Sequence, residues 1–400
     1  MELLAPAGNL EKLKYAAAFG ADAVYFGTEF GSLRSFAGNF SLDDAEIGLN
    51  YLHERGKKGY VTLNIYPFTH EYEKIRETAR KLDGMGADAF IVADLGVLME
   101  LKKMGLKAAI HISTQANTIS AQAVLAYKRL GAKRVNLARE LSLERIKEIQ
   151  KEIRGEICTE VFIHGAVCFS YSGRCAISDY LTGFRANRGE CKHPCRWKYS
   201  LMEETRPGIY LPVFEDKRGL YLFNCRELAL FEYVPALKEA GIDSIKIEGR
   251  MKSIHYIATT VSLYRQILDG KSLTHQQGMT ELNRVPNRGY SEGFMKGDIG
   301  PGDYRPEHAE SISGALFTGN IIEEKIEGKS VLRVRNKILA GETLEVLSTD
   351  GSLSTTVLPA PLVTTDGHQV DFANNSQFIL MDEELRPFSI LRRVEIQGGK

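Results

Sequence analysis

The chain's six cysteines are its residues best suited to unusual chemistry. Cys168, Cys175, Cys191 and Cys195 fall in the stretch EVFIHGAVCFSYSGRCAISDYLTGFRANRGECKHPCRW (Glu160 to Trp197), spaced C-x6-C-x15-C-x3-C. Cys225 lies further on. Cys158 precedes the apolar run Val161-Phe162-Ile163 and reads as a core thiol. Soft thiolates clustered among polar residues suit Zn(II) or an iron–sulfur cluster, either of which takes four of them. A disulfide framework suits a small secreted chain rather than one of 400 residues. Zinc ribbons usually pair ligands in short knuckles at both ends. Here only Cys191 and Cys195 make a knuckle, so spacing leans to iron–sulfur and leaves zinc open.

Polar residues at the ends of apolar runs form a second set. Asn64, His111, Gln115, Arg139, Glu140, His164, Glu248 and Arg250 each stand at or just after the C-terminal end of an expected strand. His111 and His164 are candidate acid/base groups, with a satisfied core histidine as the alternative. A charge inside IKIEGR is costly unless paired or functional, and a core salt bridge of Glu248 with Lys246 or Arg250 is the structural alternative. The catalytic candidates are therefore His111, Arg139, His164, Glu248 and Arg250. A third set is basic: Arg174, Arg185, Arg188, Lys192, Arg196 and Lys198, interleaved with Phe184, Trp197 and Tyr199. Arginines among aromatics suit unpaired bases and phosphates, so Arg174, Arg185, Arg188, Lys192, Arg196 and Trp197 are RNA-binding candidates, against the alternative of a solvated face. H-E-x-x-H and G-x-S-x-G motifs are absent from the sequence, and a nucleophile crowded by other cysteines is better explained as a metal ligand.

These residues need a scaffold. Short apolar runs at Leu3–Ala5, Ala23–Gly27, Tyr60–Asn64, Ala89–Ala93, Ala108–Ile112, Arg134–Ala138, Glu160–His164 and Ser244–Glu248 alternate with amphipathic segments such as Leu10–Phe19, Glu71–Met85, Ala121–Leu130, Ser142–Ile153, Arg226–Ala240 and Ser253–Leu268. Several segments stop at Gly-Ala, as at Gly131-Ala132, which is a helix end feeding a strand. Eight such units predict a (β/α)8 TIM-like barrel over 1–270, with an open doubly wound sheet as the alternative. On that reading 166–224 is a cysteine-rich insertion after strand seven, on the face where barrel enzymes place their chemistry. Cys225 would open the helix that follows, where a thiolate gains from the helix dipole. Residues 271–310, rich in Gly, Pro and polar side chains, read as a linker. Residues 311–400 read as a small all-β barrel with turns at Asp350-Gly351 and Asp366-Gly367.

Lys+Arg and Asp+Glu both total 51, so any nucleic-acid contact must use a local patch. Apolar content of 44% and charged content of 26% suit a soluble globular chain. No apolar run approaches a membrane span, and the start of the chain does not suit a secretory signal. A cytoplasmic location is the expectation, and it would keep the thiols reduced.

The run Glu160-x-Phe162-x2-Gly165-Ala166-Val167-Cys168-x4-Gly173-x-Cys175-x-Ile177-Ser178 resembles the signature of the U32 family, historically labelled collagenase-like peptidases. The opening MELLAPAGNLEKLKYAAAFGADAVYFG, together with SIKIEGRMKS, RGECKHPCRWKY and NRGYSEGF, is similar to the same family. RPGxYxPVFED-x-RGxYLFN is closest to its tRNA-hydroxylating branch. That branch is associated with oxygen-independent formation of 5-hydroxyuridine at the wobble position. Other members act on ribosomal RNA or a quinone precursor, and several carry a [4Fe-4S] cluster. The resemblance thus implies an RNA hydroxylase with a [4Fe-4S] cluster in preference to zinc. It implies Cys168, Cys175 and Cys191 as ligands, with Cys195 or Cys225 as the fourth. Implied partners are tRNA or another RNA, a small anionic metabolite (prephenate in this family) and a second subunit of the same family. Arg139, Arg174 or Arg250 would grip the metabolite's carboxylates.

Overall fold

The computed structural model describes every residue except 33–38, 169, 197–200, 203–209, 212–213, 217–218, 222–224, 298–302, 304–311 and 395–400. Trp197, Lys198 and Tyr199 therefore lie outside the described residues, and only the backbone of Arg196 is described.

Eight parallel strands alternate with helices: β1 (Glu2–Pro6), β2 (Ala23–Gly27), β3 (Lys58–Leu63), β4 (Ala89–Val92), β5 (Ala109–Ile112), β6 (Arg134–Asn136), β7 (Cys158–Gly165) and β8 (Ser244–Ile247). Each pairs with the next. β8 pairs with both β7 and β1, through Ser244 opposite Glu160 and opposite Glu2, so the sheet closes into the expected barrel. The strands are near-continuous apolar runs because helices and barrel interior bury both faces. All five residues of β2 are buried. The helices between them are α1 (Leu10–Ala18), α2 (Leu42–His53), α3 (Tyr72–Gly84), α4 (Leu95–Met104), α5 (Ala121–Leu130), α6 (Leu143–Ile153) and α7 (Val234–Glu239). Ser41, Asp94, Ser120 and Ser142 cap α2, α4, α5 and α6 by accepting a backbone N–H of the first turn. Gly131 ends α5 at φ 109, a conformation glycine adopts without steric cost.

The lower part of the barrel interior is filled by charge. Glu160 of β7 accepts from Arg134 (3.1 Å), Asn136 (2.8 Å), Ser244 (3.1 Å) and Lys246 (3.2 Å). Glu2 accepts from Arg134 and, at 2.8 Å, from the Tyr60 hydroxyl. Burial alone would raise the Glu160 carboxyl, but the Lys246 ammonium and Arg134 guanidinium outweigh it and hold it at about 2. Lys246 thus pairs with Glu160 of the neighbouring strand, not with Glu248 as the sequence suggested.

Two expectations need correction. The helix expected over Arg226–Ala240 is a strand, Glu227–Ala229, then a single turn, Phe231–Tyr233, and only then α7. The strand runs antiparallel to β7, with Leu228 opposite Gly165 and Ala229 opposite His164. Pro235 stands in the first turn of α7, where its missing N–H costs nothing, and it would break a helix begun at 226. Cys225 therefore opens no helix, and the dipole argument for it lapses. Cys158 is exposed at the start of β7 and is not a core thiol.

The chain forms two compact units. The barrel unit comprises Met1–Ala17, Ala21–Lys252 and Arg288–Ser311, and the second comprises Ala18–Gly20, Ser253–Asn287 and Ile312–Lys400. The stretch read as a linker divides between them. It contains a helix, His275–Leu282, and a short strand, Tyr290–Ser291, that pairs with Glu227–Leu228 in the barrel unit. The second unit also holds α8 (Ile254–Leu268), the helix following β8, and an eight-stranded antiparallel sheet. Its core gathers Leu332, Val334, Leu344, Val346, Ile379 and Leu391. Arg392, fully buried, forks onto Glu281 at 2.9 and 2.8 Å and reaches Glu345 at 2.7 Å. Among the described residues no helix is long and apolar enough to cross a membrane.

Candidate active site

β7 ends at Gly165 (φ 104), and the chain turns there into the cysteine-bearing insertion. Three contacts seat that insertion on the C-terminal ends of the barrel strands. Arg188 forks onto Glu71, just before α3, and donates to the Tyr66 carbonyl at 2.9 Å. Gly173 (φ 72) presses on the loop after β5, so closely that a Cβ there would stand 2.1 Å from the Gln115 carbonyl oxygen. Ser172 donates its backbone N–H to Glu140, beyond the end of β6, at 2.9 Å. Glycine at 173 is thus a requirement of the docking.

The seated loop encloses a cavity of about 90 Å³ lined by Cys168, Cys175, Cys191 and Cys195, with Gln115, Arg139 and His193. No disulfide links any of the cysteines. The Cys191 sulfur accepts the His193 N–H at 3.4 Å. Among the described residues no three His, Cys, Asp or Glu side chains stand close enough together to hold a metal ion. The donor set nonetheless has the chemistry for a thiolate-bound centre: four soft sulfur donors on one cavity.

A second lobe of about 260 Å³ adjoins it. Arg139, Cys168, Ser170, Tyr171 and Ser172 line both, and Glu140, Cys225, Arg226, Phe294 and Asp303 line only the larger. The sequence had given no role to the last two. Phe294 arrives because Tyr290–Ser291 pairs with Glu227–Leu228, and its signal was the NRGYSEGF run, whereas Asp303 lies beyond that run and accepts the Arg226 N–H at its carbonyl at 3.0 Å. Arg139 is held between the lobes, its guanidinium 3.9 Å from the Phe162 ring centroid and donating to the Ala166 carbonyl at 3.2 Å.

The remaining candidates scatter. His111 lies in the barrel interior, edge-on to Tyr60 at 4.8 Å, where burial and the Arg134 charge push its imidazole down to about 3. His164 packs against Tyr290 at 5.4 Å, and burial, with Lys252 nearby, lowers it to about 3. Both are neutral at ordinary pH, and neither lines either cavity. Arg250 is enclosed, donating to Ser32 at 2.7 Å and Thr62 at 3.3 Å. Glu248 is half-buried, and its N–H donates to the His164 carbonyl at 2.9 Å. Of the five catalytic candidates, Arg139 alone reaches the cavities. Among the basic candidates, Arg174, Arg185 and Lys192 are exposed, whereas Arg188 is committed to Glu71.

Comparison with known proteins bears on this site. The profile of peptidase family U32 matches residues 8–303, and that of the peptidase family U32 C-terminal domain matches 314–392. The chain belongs to peptidase family U32. This U32 protein is 33% identical over 400 residues to tRNA hydroxylation protein P of Escherichia coli, covering 89% of this chain and 88% of that one. It is 35% identical over 319 residues to a 23S rRNA 5-hydroxycytidine synthase of the same organism, covering 76% of this chain and 47% of that one. It is also 30% identical over 312 residues to a collagenase of Porphyromonas gingivalis, covering 74% and 73%.

Proposed function

We propose that this U32 protein hydroxylates a pyrimidine of RNA without molecular oxygen. Its target in this reading is the wobble uridine of tRNA, converted to 5-hydroxyuridine. The observation that carries the reading is the gathering of Cys168, Cys175, Cys191 and Cys195 around one cavity on the C-terminal face of the barrel, beside Arg139. The names of two relatives, one concerned with tRNA hydroxylation and one with ribosomal 5-hydroxycytidine, point to the same chemistry.

In this reading a [4Fe-4S] cluster, rather than zinc, is held by Cys168, Cys175 and Cys191, with Cys195 or Cys225 as fourth ligand. When bound it supplies electron transfer at the site. Replacing C5–H by C5–OH oxidises the base by one electron pair, so either an oxygen-atom donor other than O2 supplies the atom and takes the pair, or water supplies the atom, releasing two protons, and a separate two-electron acceptor takes the pair. The protein's own part is binding and orientation. Arg139, positioned by Phe162 and Ala166, pairs with a carboxylate of a small anionic metabolite, prephenate in this reading. Exposed Arg174, Arg185 and Lys192 attract the RNA backbone.

The test compares tRNA from a strain lacking the gene with tRNA from the same strain carrying it, digested to nucleosides and read by mass spectrometry. Hydroxyuridine that disappears and returns with the gene is expected. A level that ignores the gene overturns the proposal. The collagenase relative motivates a second reading, a peptidase. Cleavage of denatured collagen that survives removal of iron but not Cys168→Ser would support it.

A further inference from the structure

Among the described residues of the cysteine-bearing insertion, the aromatic rings are turned to solvent. Tyr180 is 88% exposed, Tyr171 62% and Phe184 41%. Rings of this size are usually buried, and a group left outside in one loop marks a contact surface. Their setting is basic: Arg174, Arg185 and Lys192 lie exposed among them, against Asp179 and Glu190, in a chain whose overall charge is zero. The Lys192 ammonium stands 4.4 Å over the Phe184 ring. Flat rings interleaved with three cations suit a polyanion that carries flat rings of its own.

We infer that Tyr171, Tyr180 and Phe184 form a stacking platform for the unpaired bases of an RNA loop, with Tyr171 at the entrance to the two-lobed cavity. Tyr171 lines both lobes and is still mostly exposed, so it stands at their mouth. The turn that presents it is closed by the Arg174 N–H donating to the Tyr171 carbonyl at 3.0 Å, and it is set by Gly173. A base drawn from a loop meets the Tyr171 face before the thiols, while Tyr180 and Phe184 receive its neighbours. Duplex RNA hides its base faces and cannot use the platform. This inference rests on the RNA reading above and adds the residues that recognise the loop; Tyr171 and Tyr180 were not among the candidates drawn from the sequence.

The probe is a fluorescein-labelled RNA hairpin with a uridine loop, and its control is the same length of RNA closed as a duplex. Binding to the anaerobically purified full chain is followed by anisotropy. Tyr171→Ala and Tyr180→Ala are each expected to weaken hairpin binding roughly tenfold, the loss of one stacked base. Tyr180→Phe, which keeps the ring, should bind as the natural protein does, and duplex affinity should not move. Unchanged iron content and melting temperature in each variant show that the loop remains seated. Alanine variants that hold the hairpin as tightly as the natural protein overturn the platform. So does an equal loss for hairpin and duplex, or binding of an unfolded protein in place of RNA through these rings. Ring-dependent hairpin binding in a protein whose gene leaves tRNA hydroxylation unchanged overturns the proposed function and leaves the platform standing. Gene-dependent hydroxylation with ring-independent binding does the reverse.

Discussion

Arg188 and Glu71 meet fork to fork, with Nη2 2.6 Å from Oε1 and Nη1 2.9 Å from Oε2. The pair joins the cysteine-bearing insertion to the turn that precedes α3, so it holds a loop rather than a core. The hydrogen bonds from Arg188 also pull the Glu71 carboxyl below the ordinary range. A point charge cannot replace a fork at such a site. Arg188→Lys is therefore expected to leave the melting temperature of the barrel nearly unchanged while speeding protease cleavage within 166–224 and iron loss on gel filtration. Cleavage and iron retention equal to those of the natural protein would show that the pair does not seat the loop.

Acid should destabilise the fold earlier than its carboxylates alone would predict. His111, His164 and His255 are each buried and held at about 3, with burial as the largest cause. In the unfolded chain they take up protons near their ordinary value of 6.5. Between those values the unfolded state binds more protons, so stability falls as pH drops through 6.5 and the loss continues to about 3. Glu160 adds a further loss below 4.5, since it stays ionised in the fold down to about 2. Each group contributes up to about 1.4 kcal/mol per pH unit. The melting temperature should fall steadily from about pH 7 to about pH 5. His255→Phe, which keeps the stack on Phe317, should flatten that slope. Superimposable slopes for the two proteins would remove His255 from the account.

The second unit hangs on Arg392. Its side chain is fully buried, and both partners, Glu281 and Glu345, are largely buried, at 17% and 20% side-chain exposure. Arg392→Met would strip the cation from Glu281 and leave Glu345 with its longer contact to Arg284 at 3.7 Å. The expected cost is about 3 kcal/mol, the low end for breaking a buried pair because both partners keep some water. Arg392→Lys should recover little, since it lacks the fork. Urea unfolding monitored through the second unit is the measurement. A midpoint unchanged in the methionine variant would mean that packing around residue 392, not its charge, holds the unit.

The barrel was readable because both faces of each strand are buried, which leaves short apolar runs cut at glycines. The 134–136 and 244–247 strands carry Arg134 and Lys246, yet they stay legible through their flanking apolar residues. Reading failed where long-range pairing decides. Nothing local in Glu227–Ala229 announces that it will lie on β7, or that Tyr290–Ser291 will lie on it in turn, so one segment looked helical and the other like a linker. The same limit hid Glu160, whose partners Arg134, Ser244 and Lys246 come from other strands. Cysteine spacing pointed to the strand-seven insertion, and there four of the thiols line one cavity. It could not separate the histidines that fill the core from an arginine that reaches the cavity.

Cysteine spacing also left Cys195 and Cys225 tied, and their positions now make different predictions. Cys195 lines the smaller cavity with Cys168, Cys175 and Cys191, whereas Cys225 lines the larger lobe, sharing it with Cys168. Serine replacements of Cys168, Cys175 and Cys191 should each strip most of the iron from anaerobically purified protein, since a thiolate bond to the metal is lost outright. If the cavity as lined defines the ligand set, Cys195→Ser behaves like these three. Cys225→Ser should then keep its iron and sulfide, because Cys225 lines the neighbouring lobe and not the cavity of the other four thiols. The opposite result, iron lost with Cys225→Ser and kept with Cys195→Ser, would mean that the insertion closes around the cluster and draws Cys225 across from the neighbouring lobe. Equal iron and sulfide in all five variants would sink thiolate ligation altogether, and with it the redox reading of the site.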